Sequence, residues 1–257
     1  NFSEVNYKTL YDGFNLNGWY IPASKVGVEQ SLVISHGRTS NRLKTLKYLA
    51  IIKEYGLDSI YNVFIPDLRN SGKSDESKTG MGYEFAEDIA ASMKMLQSKF
   101  NQNDFVLWGF SMGAMGSITS INRPDLKEEL DENGVRINKL ILASPLANVE
   151  KTLSVAAKQR NIPGFIFNIT FKKFSKISNG YVNEMKLSNF LKINPTPTLV
   201  LYGTADVITP FEILEAEIAG LSNVHSEKFE GTSHVLIYTR PEHKTRYAEA
   251  VNDFLRR

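Results

Sequence analysis

The chain has 257 residues, 42% of them hydrophobic and 23% charged, which suits one globular α/β domain with room for an insertion. Thirty Lys and Arg against 28 Asp and Glu leave a net charge of +2, with no basic stripe or acidic tail, so nucleic acid is not an expected partner. The absence of cysteine excludes disulfides, thiolate chemistry and cysteine-held zinc.

The pattern opens with two strands, 5–10 and 16–21, joined by a turn at Asp12-Gly13 and closed by Pro22. The run 31–35 (Ser-Leu-Val-Ile-Ser) lacks strict alternation, as expected of a strand covered on both faces. Residues 44–55 carry apolar side chains at helical spacing and stop at Gly56. A strand at 61–65, a helix at 83–100, a strand at 105–108 and a helix at 111–121 follow. Strands at 137–143 and 198–202, a helix at 211–219, a strand at 226–229 and a helix at 240–255 complete the chain. This alternation predicts right-handed crossovers and a mostly parallel sheet of about eight strands with helices on both faces. It is interrupted at 145–191, where no strand pattern occurs. We therefore expect a core formed by 1–144 and 192–257, and a cap of short helices at 145–191. No apolar run reaches the roughly 20 residues of a membrane helix. The chain opens on Asn1 rather than Met. That is compatible with an upstream signal peptide or membrane anchor and hence with proximity to a membrane, so cytoplasmic and extracytoplasmic locations both stay open.

Gly109-Phe110-Ser111-Met112-Gly113 lies between a buried strand and a helix. A serine on such a turn projects its hydroxyl above the sheet edge, and crowding there demands small residues two before and two after it. The helix N-terminus adds a positive dipole end. A serine nucleophile needs a base, and neutral histidine suits neutral pH. Of four histidines, His243 reads as part of a solvated helix face, His225 as structural and His36 as the end of a strand. His234 sits in the loop between the last strand and the last helix, which opens at the carboxyl edge of the sheet. Asp206 follows the strand at 198–202 and is the candidate carboxylate to orient that histidine. The loop His36-Gly37-Arg38-Thr39 reaches the same edge, so the Arg38 amide can join that of Met112 in an oxyanion hole. Each assignment has a plainer alternative: a tight turn with an inert serine, a hydrogen-bonded loop histidine, a helix-capping aspartate, a strand-ending glycine turn.

Taken together these motifs resemble the α/β-hydrolase superfamily nearly end to end. His36-Gly37 resembles its oxyanion loop, Ser111 its nucleophile elbow, Asp206 its acid after the seventh strand and His234 its terminal base. Asp67-Leu68-Arg69-Asn70-Ser71-Gly72-Lys73-Ser74 resembles a segment that is a structural turn in relatives, so Asp67 is not assigned to catalysis. The alternative acid position, after the sixth strand, reads Ser144-Pro145-Leu146-Ala147 and holds no carboxylate. Asp12-Gly13 through Pro22, together with His36 to Arg42, resemble bacterial lysophospholipase-like or serine-aminopeptidase-like hydrolases.

The resemblance implies a serine hydrolase acting on a small-molecule carboxylic ester, with no metal or cofactor. The apolar stretch at 162–171 either lines an acyl site or packs the cap onto the core. Phe165 and Phe167 of that stretch, with Phe110 beside Ser111, are the candidate substrate contacts. A peptidase or aminopeptidase, a thioesterase and a non-catalytic ligand-binding relative are the alternatives. Oligomeric state is not legible.

Overall fold

The computed structural model describes residues 1–78 and 80–257. Eight strands form one sheet: β1 Ser3–Lys8, β2 Asn15–Ile21, β3 Gln30–Ser35, β4 Asn62–Asp67, β5 Asp104–Phe110, β6 Arg136–Ala143, β7 Thr198–Gly203 and β8 Val224–Phe229. Their spatial order is β1-β2-β4-β3-β5-β6-β7-β8. β1–β2 and β2–β4 pair antiparallel, and every pair from β4 to β8 is parallel. The opening hairpin therefore adds an antiparallel edge to an otherwise parallel sheet.

The unalternating apolar runs follow from burial on both faces. Successive side chains of a strand point to opposite sides. Val33, Leu107 and Leu142 join the core on one face, while Leu32, Ile34, Val106, Trp108 and Ile141 join the core on the other. The first face is covered by α3 Tyr83–Phe100 and α4 Met112–Ser120. The second is covered by α1 Arg42–Thr45, α2 Leu49–Glu54 and the C-terminal helix, with the Tyr48 ring against Trp108 and Phe110, and Trp108 against Tyr247.

Two local expectations are corrected. The single helix expected over 44–55 is broken by a tighter 3₁₀ turn at Leu46–Tyr48. Such a turn advances each residue about 120° rather than 100°. It carries Tyr48 into the core, along with Ile51 and Ile52, and leaves Leu46 and Leu49 half-buried. A helix that the pattern did not reveal, α5 Pro124–Glu132, buries only Leu126 and Leu130. Two apolar residues one turn apart are too weak a periodic signal, although Pro124 at its first turn marked the start.

Between β6 and β7 the chain is helical: α6 Val149–Gln159, α7 Gly164–Ile177, a 3₁₀ turn at Tyr181–Glu184 and α8 Leu187–Ile193. Its two ends are rooted in the core through Val149, Val182, Met185, Leu187, Phe190 and Leu191. α9 Phe211–Ile218 and α10 Pro241–Arg256 complete the structure. No helix among the described residues is long and apolar enough to cross a membrane.

Candidate active site

The carboxyl ends of β5, β7 and β8 bring the three sequence-selected side chains together. β5 runs straight into α4 with only Ser111 between them, and that residue takes φ 52° and ψ −118°. This is a strained conformation for a non-glycine residue. It is held by its own amide, which donates to the Ala143 carbonyl of β6 at 2.8 Å. The flanking glycines are required sterically. A Cβ on Gly113 would collide with the His36 carbonyl oxygen, and one on Gly109 with the backbone of Ala114.

The Ser111 hydroxyl oxygen lies 2.8 Å from His234 Nε2, and His234 Nδ1 lies 2.7 Å from Asp206 Oδ2. His234 stands in the loop after β8, whose approach to β7 is so close that a Cβ on Gly203 would meet the Thr232 carbonyl. The next residue, Val235, has φ 56°. A β-branched side chain is strained in that region, so the surrounding packing holds the loop in place.

Asp206 is buried and accepts several hydrogen bonds. The amides of Ile208 and Thr209 both donate to Oδ1 at 2.9 Å, and the Thr209 hydroxyl donates to Oδ2 at 2.7 Å. Burial pushes its carboxyl up. Hydrogen bonds from His234 and Thr209 and the attraction of the imidazole outweigh that, and the group stays below the usual carboxylate range. The helix-capping alternative does not hold, because α9 begins at Phe211 after Pro210 with no side-chain cap. Asp206 instead closes the 206–209 turn with one oxygen while the other faces the histidine. Thr209 is the residue that the motif reading missed. Its only signal was its position three residues after the aspartate, the spacing of a local side-chain turn.

Met112 opens α4, and the loop at Gly37–Arg38 passes beside it; a Cβ on Gly37 would stand 3.1 Å from the Phe110 carbonyl and from Ser111 Cβ. Among the described residues neither the Met112 nor the Arg38 amide donates to a protein acceptor. Both amides are therefore unengaged within the protein, on segments that flank Ser111.

The other histidines are held elsewhere. His225 contacts Glu227 and His243 contacts the Glu230 carbonyl, both at the surface. His36 is buried: its Nε2 accepts from the Leu68 amide at 3.0 Å, so Nδ1 carries the proton and donates to the Gly37 carbonyl at 2.8 Å. Burial holds this imidazole below the usual histidine range, against smaller upward pulls from the Gly37 carbonyl and Asp67. The folded protein thus keeps His36 neutral, while the unfolded chain takes up a proton near pH ~6.5. The stability this contributes is complete above that pH and is lost as pH falls below it, by at most about 1.4 kcal/mol per pH unit. Thermal denaturation between pH 7 and 5 is expected to show a shallower decline for His36→Gln than for the unaltered chain. Equal declines would remove His36 from this role.

A cleft of about 290 Å³ opens in front of Ser111 and His234, with Phe110, Tyr48, Val235 and Leu236 as its apolar lining. Of the three candidate substrate contacts only Phe110 lines it. Phe165 and Phe167 lie on α7, where Phe165 is 68% exposed and Phe167 is half-buried against Phe171. No residue of α7 is fully buried, and Ile166, Ile169 and Ile177 are also exposed. Phe171 and Phe174 pack half-buried against the core, so packing accounts for that side of α7 but not for Phe165, Ile166 and Ile169. Asp67 closes its own turn by accepting from the Arg42 and Lys73 amides.

A family profile described as the alpha/beta hydrolase fold matches residues 30–119. Over its full length the chain superposes on an esterase from Pyrococcus furiosus with a TM-score of 0.70 at 22% identity, covering 90% of that chain. A thermophilic esterase from Thermogutta terrifontis aligns with 99% of this chain and 98% of its own, with a TM-score of 0.63 and 22% identity. The chain has the α/β-hydrolase fold. Among curated sequences this α/β-hydrolase-fold chain is 26% identical to the YfhR protein of Escherichia coli K12 over 210 residues, 79% of this chain and 63% of that one. It is 28% identical to YqkD of Bacillus subtilis over 107 residues, 41% of this chain and 33% of that protein. The chain thus spans under two thirds of the length of these curated relatives.

Proposed function

We propose that this chain is a serine hydrolase that cleaves carboxylic esters with an acyl or lipid-like chain through an acyl-enzyme on Ser111. The observation that carries the reading is the continuous relay from the Ser111 hydroxyl through His234 to Asp206, with contacts of 2.8 and 2.7 Å. Esterases among the structures of like fold agree with it. Ser111 Oγ attacks the ester carbonyl as His234 Nε2 takes its proton. The oxygen that becomes negative is met by the Met112 and Arg38 amides and by the positive end of α4. Asp206 stabilises the imidazolium. His234 then gives its proton to the departing alkoxide, which leaves as the alcohol. A water that loses a proton to His234 attacks the acyl-enzyme, and the carboxylic acid leaves with Ser111 restored.

The helices at 145–191 act in this reading as a cap. The exposed Phe165, Ile166 and Ile169 of α7 support an apolar chain as its client. An aminopeptidase of the serine-aminopeptidase-like kind would need a carboxylate to hold the substrate ammonium. None lines the cleft, and the cap carboxylates Glu150 and Glu184 are exposed away from it. A lysophospholipase-like ester substrate is the better match, ahead of a thioester. A series of p-nitrophenyl esters from acetyl to dodecanoyl tests the acyl reading. The expected optimum lies beyond acetyl, and a preference for acetyl over every longer chain would reject a lipid-like substrate.

A further inference from the structure

The cleft beside Ser111 is electrically one-sided. Arg38, Lys44 and Lys47 line it, and among the described residues no aspartate or glutamate does. These are three of the five cations between residues 38 and 53. The other two turn away and are paired, Arg42 with Glu4 and Asp67, and Lys53 with Asp58. The three that face the cleft have no ion-pair partner among the described residues. Lys47 is half-buried, with its ammonium 5.1 Å from the centre of the Tyr48 ring. Burial, and then the charge of the adjacent Lys44, hold its ammonium below the usual lysine range. A half-buried lysine beside a second, exposed one, with a third cation on the same wall, is relieved by an anion. The space of about 290 Å³ lies at the small end of ligand pockets and suits a compact group.

We propose that Arg38, Lys44 and Lys47 form a subsite for an anionic group of the ester substrate, a phosphate or a carboxylate close to the scissile bond. The inference rests on Ser111 as the nucleophile of an ester hydrolase and narrows its substrate class. The walls divide the tasks: the cations bind the charge, while Phe110, Tyr48, Val235 and Leu236 meet the apolar part.

Two matched ester pairs test this. In one, 1-butyrylglycerol is compared with 1-butyrylglycerol 3-phosphate, which puts a phosphate on the alcohol side. In the other, 4-nitrophenyl butyrate is compared with mono-4-nitrophenyl glutarate, which puts a carboxylate on the acyl side. In at least one pair kcat/KM is expected to be about tenfold or more higher for the anionic ester, as for two or three partly exposed charge pairs. The pair that responds identifies the source of the charge. The ratio is expected to fall towards one in Lys44→Gln/Lys47→Gln and in 0.5 M salt, where exposed charges are screened.

Ser111-dependent turnover with ratios at or below one in both pairs overturns the subsite and leaves the hydrolase standing. A high ratio that the double variant retains also overturns it, because the anion then binds elsewhere. No turnover of any of the four esters, together with no labelling of Ser111 by a fluorophosphonate, overturns the hydrolase reading itself.

Discussion

Ser111→Ala is expected to lower kcat/KM for every accepted ester by about 10⁴- to 10⁶-fold, while the protein keeps its fold. The serine side chain contributes its oxygen to the relay and little to packing, so the deletion removes the nucleophile and leaves the elbow. His234→Ala is expected to cost about as much as Ser111→Ala, and the double variant hardly more, because the two act as one unit. Asp206→Asn is expected to lose about 10⁴-fold. Its carboxylate is held by the Ile208 and Thr209 amides as well as by His234, so an amide leaves the turn partly intact but presents a donor where the histidine needs an acceptor. Ester hydrolysis and fluorophosphonate labelling of the four variants give the measurement. Full turnover by Ser111→Ala would reject the acyl-enzyme mechanism.

Arg69→Met is expected to be the most damaging single change to stability outside the reacting groups, at about 3–5 kcal/mol. Arg69 and Asp88 are both fully buried. The guanidinium donates to Asp88 at 2.8 Å through Nε, to Glu87 at 3.1 Å and to Asp12 at 3.1 Å, while the Arg69 amide donates to the second Asp88 oxygen at 2.8 Å. One side chain thus ties the turn after β4 to α3 and to the opening hairpin. Removing it strands the Asp88 carboxylate in a medium that solvates it poorly. The midpoint of thermal unfolding is expected to fall by roughly 10 °C. Arg69→Met/Asp88→Leu is expected to recover part of that loss, because the double change leaves no uncompensated buried charge. A single-variant shift below about 2 °C would show that the network carries no such weight.

Most of the architecture was legible because burial on both faces leaves continuous apolar runs, and these are the strongest local signal a parallel sheet offers. The helices that escaped or broke the pattern, α5 and the 42–54 segment, are those in which two or three buried apolar residues decide the packing. The sharp turn at Ser111 was legible for a steric reason. The turn at Ser111 tolerates only glycine at 109 and 113, and that steric demand is written directly into the chain. Where Phe165 and Phe167 stand was not legible, because apolar character says that a side chain avoids water, not which surface it meets. In the fold they stand on α7, clear of the cleft, and only Phe110 reaches it.

The sequence by itself determined the eight strands of a mostly parallel sheet and singled out Ser111, Asp206 and His234, because each depends on local sterics, hydrophobic period or a loop's place at the sheet edge. Only the tertiary structure decided that Thr209 fastens Asp206, that His36 is a neutral buried support, and that Arg38, Lys44 and Lys47 line the same cleft as Ser111. Those are properties of distance and enclosure between segments remote in the chain, and no short-range pattern encodes them.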